Sequence, residues 1–237
     1  MIASLAAVLS LSLAAVTPKA PPARGDVSAL VQRCVAAYGG KAALARAARS
    51  RVEGSVTSVV LHPGETGKIV RAFERPGRLR VEIAYPGDPP EARVLDGGRG
   101  WRNGEDATGP RLDAMVLHAA RLDLPALLHA SLAKLRDGGA AIVGGRRVRL
   151  LAVEPAPGLL VEAAIDPATG RILRSRGAST SGPTPLEFVT TYSQFEQVKG
   201  VLVPMREESW ANGKSTGVTK VRKVTFPSAF LEGTFRP

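Results

Sequence analysis

The 237-residue chain has one cysteine, three histidines and only 5% aromatic residues. A lone cysteine, Cys34, excludes an internal disulfide and any centre built from several thiolates, such as a structural zinc site. It falls on the apolar stripe of a helix, which points to packing rather than to nucleophilic chemistry. His62, His118 and His129 lack a partner at metal-ligand spacing such as H-E-x-x-H, so neither a metal nor a cofactor is expected, and all three read as packing or solvent-facing groups. No G-x-S-x-G is present, and Ser131-Leu132-Ala133-Lys134 spells S-x-x-K on a helix among Leu127, Leu128 and Leu135. Glu207 and Glu208 alternate along a strand and so point to opposite faces, the wrong arrangement for shared acid–base work. Gly97-Gly98 and Gly138-Gly139 lack the lysine and the following helix of a phosphate loop. The expectation is a protein that is not an enzyme; a hydrolase would need the fold to carry one of the histidines to a carboxylate.

A concentrated basic block is missing as well. Thirty-two Lys and Arg against twenty-one acids give +11, but the surplus is spread singly along strands, as at Arg71, Arg80, Arg93, Arg149 and Arg174. Without clustered charge or an aromatic-rich RNA-binding run, no nucleic acid is expected. The charge suits an anionic membrane surface or an acidic protein partner. Met1 to Val16 carry no charged side chain, and the turn-prone Thr17, Pro18, Lys19, Ala20, Pro21 and Pro22 follow. This predicts a secretory signal peptide over 1–20 and a linker over 21–25, hence export, although no Lys or Arg precedes the apolar core. The run is shorter than the about 20 apolar residues that span a bilayer.

What the chain does have is period-two alternation after residue 50. Leu79, Val81, Ile83 and Tyr85 alternate with Arg78, Arg80, Glu82 and Ala84, and Leu159, Val161, Ala163 and Ile165 interleave with Leu160, Glu162, Ala164 and Asp166. Such patterning denotes a half-buried antiparallel sheet. Asp26 reads as the N-cap of a first helix carrying Val27, Leu30, Val31, Cys34, Val35 and Tyr38, stopped by Gly39-Gly40, and a short helix over 41–48 follows. Strands are expected at 51–61, 68–75, 78–85, 91–96 and around Trp101, with Asn103-Gly104 as a hairpin turn. From Arg111 to Arg136 the period becomes helical, with Asp123 as a second N-cap. Further strands are expected at 141–144, 147–154, 158–166, 171–177, 186–198, 201–211 and 215–226.

The fold class is therefore mainly β with α over 26–237: a curled antiparallel sheet, a half-open barrel of about eleven strands, with N-terminal helices and a helical insertion as a lid. A sheet this long curls or closes, and a wide barrel encloses a cavity. The residues expected to line that hydrophobic cavity and hold a ligand are Phe73, Leu79, Val81, Ile83, Trp101, Met115, Leu128, Leu132, Phe188, Tyr192, Met205 and Trp210. A buried acyl chain gains about 0.8 kcal/mol per CH₂ before entropic costs.

The order of these pieces resembles the LolA/LolB-type lipoprotein-carrier superfamily. The similar stretches are Tyr38-Gly39-Gly40-Lys41-Ala42-Ala43-Leu44, a strand ending near Leu61, Arg75-Pro76-Gly77-Arg78-Leu79-Arg80-Val81-Glu82 and Asp96-Gly97-Gly98-Arg99-Gly100-Trp101. Ile165-Asp166-Pro167-Ala168-Thr169-Gly170-Arg171-Ile172, Tyr192-Ser193-Gln194-Phe195 with Gly200-Val201-Leu202-Val203-Pro204, and Phe235-Arg236-Pro237 complete the likeness. It implies a periplasmic half-barrel whose concave apolar face, shielded by helices, holds lipid acyl chains or acylated lipoproteins. A cell-envelope sensor or interaction module without a lipid cargo is the alternative within the same superfamily. No functional residue is carried over from it.

Overall fold

The computed structural model describes residues 24–60, 62–179 and 186–237. The signal peptide expected over 1–20, Leu61 at the end of a predicted strand and the turn at Gly182 to Pro185 lie outside the described residues. Two helices, α1 (Arg24–Ala37) and α2 (Gly40–Arg46), lead into β1 (Arg49–Ser58), β2 (Thr66–Glu74), β3 (Arg78–Ala84), β4 (Glu91–Asp96), β5 (Arg99–Arg102) and β6 (Glu105–Ala107). The insertion is α3 (Pro110–Leu122), α4 (Leu124–Ala130) and a 3-10 turn at Leu132–Lys134. Then come β7 (Arg136–Val143), β8 (Arg146–Ala156), β9 (Leu159–Ile165), β10 (Ile172–Ser179), β11 (Leu186–Val198), β12 (Val201–Ala211) and β13 (Lys214–Thr225). Among the described residues no helix is long and apolar enough to cross a membrane.

Among the described residues thirteen strands form one antiparallel sheet in the order β6-β5-β4-β3-β2-β1-β13-β12-β11-β10-β9-β8-β7, the expected strands plus the short β6. The sheet is not closed and has the curl of a half-open barrel. The Asn103-Gly104 turn, both residues at positive φ, carries β5 into the short β6, whose sequence Glu105-Asp106-Ala107 gives too little alternation to be read as a strand. β7 begins earlier than the alternation suggests. A register shift between Asp137 and Gly139 interrupts its pairing with β8, and the Arg149 guanidinium grips the Asp137 carboxylate.

The topology dictates where the insertion goes. β6 and β7 are the two free edges, and the chain between them must cross from one to the other. It does so inside the trough: α3 packs against β3, β4 and β5 on one side and β8, β9 and β10 on the other. The sheet makes room through small residues. A Cβ on Gly100 would come within 2.8 Å of Met115 Sδ, and one on Gly177 within 3.4 Å of Leu117. Leu79, Leu95, Ala107, Met115 and Ala119 form one buried cluster under α3. A second cluster joins Leu30, Val31, Cys34 and Val35 of α1, and Tyr38 just beyond it, to Leu124 and Leu128 of α4 and to Leu151, Val161, Ala163 and Ile165 of the sheet. On the convex side the tail after β13 returns over β2 to β4, where Phe235, Ala72 and Val94 are buried together with Trp101 packed alongside.

Two expected caps do different work. Asp26 sits in the first turn of α1, which already begins at Arg24. Asp123 stands at the expected N-cap position of α4, where its backbone carbonyl accepts from Leu127 N–H, but its side chain makes no capping hydrogen bond. Its carboxylate accepts from Arg75 Nε at 2.7 Å and Nη2 at 2.5 Å instead. A bidentate guanidinium contact is stronger than a neutral cap, and it ties the hinge of the insertion to the end of β2.

Candidate functional site

Under α3 the trough is only partly filled. One cavity lined by the described residues has a volume of about 720 Å³. Its apolar lining is Val56, Ile69, Val81, Ile83, Leu117, Phe188 and Trp210, and it also carries the hydroxyls of Ser58, Thr190, Ser209, Thr216 and Thr219. Most of the aliphatic lining comes from β1 to β3 and most of the hydroxyls from β11 to β13, with Ser58 on β1 and Phe188 and Trp210 on β11 and β12 as the exceptions. A smaller cavity of about 130 Å³ lies beside it, lined by Tyr38, Leu44, Phe73, Leu124, Tyr192 and Leu202 among others.

Between the two lies a cluster of buried charge. Arg71 on β2 and Arg121 on α3 line both cavities, His118 lines only the larger and Glu207 only the smaller. Arg71 donates through Nη1 to Glu207 Oε2 and through Nη2 to Oε1, each at 2.7 Å. Arg121 Nη1 reaches Glu207 Oε2 at 3.4 Å, and its Nη2 lies 3.0 Å from His118 Nε2. Since a guanidinium only donates, His118 accepts at Nε2 and is the neutral imidazole. Burial, reinforced by the charges of Arg121, Arg71 and Arg93, pushes the His118 pKa well below its ordinary value. Burial alone would raise Glu207, but Arg71 and Arg121 overcome that effect and hold its carboxyl at about 2. Tyr192 extends the network to Ser175 through a hydroxyl contact of 2.6 Å.

The residues expected to line the cavity divide into groups. Val81, Ile83, Phe188 and Trp210 face the larger cavity; Phe73 and Tyr192 face the smaller one. Leu79, Met115 and Leu128 are consumed by packing against the insertion, and Leu132 is 37% exposed. Trp101 is on the convex side, with the Arg99 guanidinium 5.1 Å from its ring. Met205 is half-buried on β12 and in the lining of neither cavity.

The charged cluster is what sequence reading missed. Arg71, one of the arginines spread singly along the strands, is 3% exposed. The signal was present: Ile69, Arg71 and Phe73 share one face of β2, so an inward apolar face carries a charge that demands a partner. Other arginines do pair on the surface, as Arg80 with Glu82 and Arg206 with Glu208. Glu207 and Glu208 point to opposite faces as alternation required, Glu207 inward and 4% exposed.

Of the histidines, His62 meets carboxylates. Its Nδ1 lies 3.4 Å from Asp88 Oδ2 and 3.7 Å from Glu65 Oε2 while its ring stacks on Tyr85 at the cavity rim. Among the described residues no group of three or more His, Cys, Asp or Glu side chains could hold a metal ion.

This architecture is the fold of the LolA superfamily. A LolA superfamily protein from Nitrosomonas europaea superposes with a TM-score of 0.52 at 13% identity, over 80% of this chain and 89% of its own. An outer membrane lipoprotein-sorting protein domain from Vibrio parahaemolyticus aligns over 87% of this chain and 94% of its own, at 14% identity and a TM-score of 0.48. No protein-family profile matches the chain, and no curated protein does. At 13% identity the likeness to the Nitrosomonas protein speaks to the fold alone.

Proposed function

We propose that this protein is an exported, periplasmic binding protein that holds the acyl chains of a lipid or of an acylated lipoprotein in the larger cavity, without catalysing a reaction on them. The observation that carries the reading is an open space of about 720 Å³, walled by Val56, Ile69, Val81, Ile83, Phe188 and Trp210 and roofed by α3. Cavities of this size and character are ligand sites. At roughly 30 Å³ per methylene, close to a water molecule's share of liquid volume, the space corresponds to about two dozen methylenes. Each buried methylene contributes about 0.8 kcal/mol, so a single long chain offsets the entropic cost of binding. The superfamily fold supports the same reading.

The test is to purify the chain from a periplasmic extract, extract it with organic solvent and identify co-purified lipid by mass spectrometry, then titrate delipidated protein with a fluorescent fatty acyl probe. Stoichiometric lipid and saturable, displaceable uptake are expected. Protein that arrives free of lipid and ignores the probe overturns the reading.

A further inference from the structure

We infer that the larger cavity selects an amphiphile with one anionic head, a carboxylate or a phosphate, seated at Arg71 and Arg121 with its chain along Val56, Ile69, Val81 and Ile83. The inference rests on the acyl-binding reading above and adds to it the chemistry of the head. The charge count motivates it. Two guanidinium groups, Arg71 and Arg121, share a single carboxylate, Glu207. Because Glu207 lines only the smaller cavity, the side of the cluster turned toward the larger one is cationic.

Three observations agree with that balance. Arg71 is 3% exposed, and its Nε is buried without a hydrogen-bond partner among the described residues. Leaving such a group unpaired is costly, and a bound oxyanion is the simplest remedy. His118, the third polar group on this side, is neutral and adds no negative charge. The remaining acids of the wall are already engaged: Glu91 is held by Arg93 and Arg102, and Asp88 sits beside His62. An apolar chain against the β1 to β3 wall and an oxyanion against two arginines would satisfy both halves of the cavity at once.

The experiment compares palmitate, methyl palmitate, 1-hexadecanol and hexadecyl phosphate as competitors of a neutral fluorescent acyl probe on the delipidated full chain. Palmitate or hexadecyl phosphate, or both, should displace the probe at least about tenfold more tightly than the ester and the alcohol. The tighter of the two anions identifies the head. Arg121→Gln leaves the Arg71–Glu207 pair intact and should erase this preference, so that the ratio of anion to ester affinity falls from at least about tenfold to near one, a readout that a merely structural arginine would not move. Equal binding of charged and neutral heads by the native protein, or a preference that survives Arg121→Gln, overturns the inference while the acyl-binding reading stands. If none of the four competes and the probe itself does not bind, it is the acyl-binding reading that fails. The native comparison decides the matter even if the variant does not fold.

Discussion

Arg71 and Glu207 form a two-pronged ion pair across the central seam of the sheet. They are 136 residues apart in sequence, and their side chains are 4% and 5% exposed. Their strands are not neighbours: β1 and β13 lie between β2 and β12, so the pair reaches over the place where the first strand meets the last.

Breaking this pair from one side should be severe. Glu207→Met strands two buried guanidinium groups, Arg71 and Arg121, and should cost about 3–5 kcal/mol; Arg71→Met, which leaves Glu207 its contact with Arg121, should cost less, and the double variant Arg71→Met/Glu207→Met should cost less than the sum of the two. Urea denaturation of the four proteins as a double-mutant cycle measures the coupling. Strictly additive costs would show that the two side chains do not depend on one another.

Acid should destabilise the fold in two windows. His118 is neutral in the folded protein because burial, then Arg121, Arg71 and Arg93, depress its pKa below the ordinary 6.5. The unfolded chain therefore takes up a proton that the native one does not, and stability should begin to fall below about pH 6.5. Glu207 is depressed from 4.5 to about 2, so its contribution, roughly 3 kcal/mol, is present above pH 4.5 and is lost as the pH falls toward 2. His118→Gln should abolish the first decline and keep the second. Unfolding free energies between pH 8 and pH 3 supply the check.

The two tryptophans should respond differently to cargo. Trp210 lines the larger cavity, and Trp101 packs on the convex face near Phe235. If an acyl chain enters the cavity, Trp101→Phe should retain the emission shift caused by a saturated fatty acid and Trp210→Phe should lose it. The opposite assignment would place the chain outside the trough.

Cys34 should be inert in the native state. It is fully buried, and burial pushes its thiol up to about 12. A thiol-specific disulfide reagent should label it only in denaturant, at a rate set by unfolding. Rapid labelling of the folded protein would mean that α1 opens readily from α4 and the sheet.

How far the sequence revealed this molecule depended on whether a feature was local. Alternation such as Leu79-Arg80-Val81-Glu82-Ile83 names the strands, and Asn103-Gly104 names the hairpin, because neighbours along the chain determine them. The trough contents depend on which elements meet. Leu79 and Met115 read equally well as lining or as packing, and only the path of α3 between the two edges settles that they fill each other's space. The second N-cap expected at Asp123 located the break between α3 and α4, but not the salt bridge to Arg75 that its carboxylate makes there. Arg71 read as one more of the arginines spread singly along the strands because its counter-charge is carried by a strand far along the chain.

The central union of β1 with β13, where Arg51 faces Thr225, has a consequence for assembly. Until the final strand is available, β1 to β6 and β7 to β12 are separate ribbons, each with an extra raw border, and neither can shelter the insertion alone. Such a product forms late and slowly, since its decisive pairing is among the most distant in the polypeptide. A chain stalled short of Lys214 would leave both ribbons exposed to one another's copies, so quality control should recognise that species first.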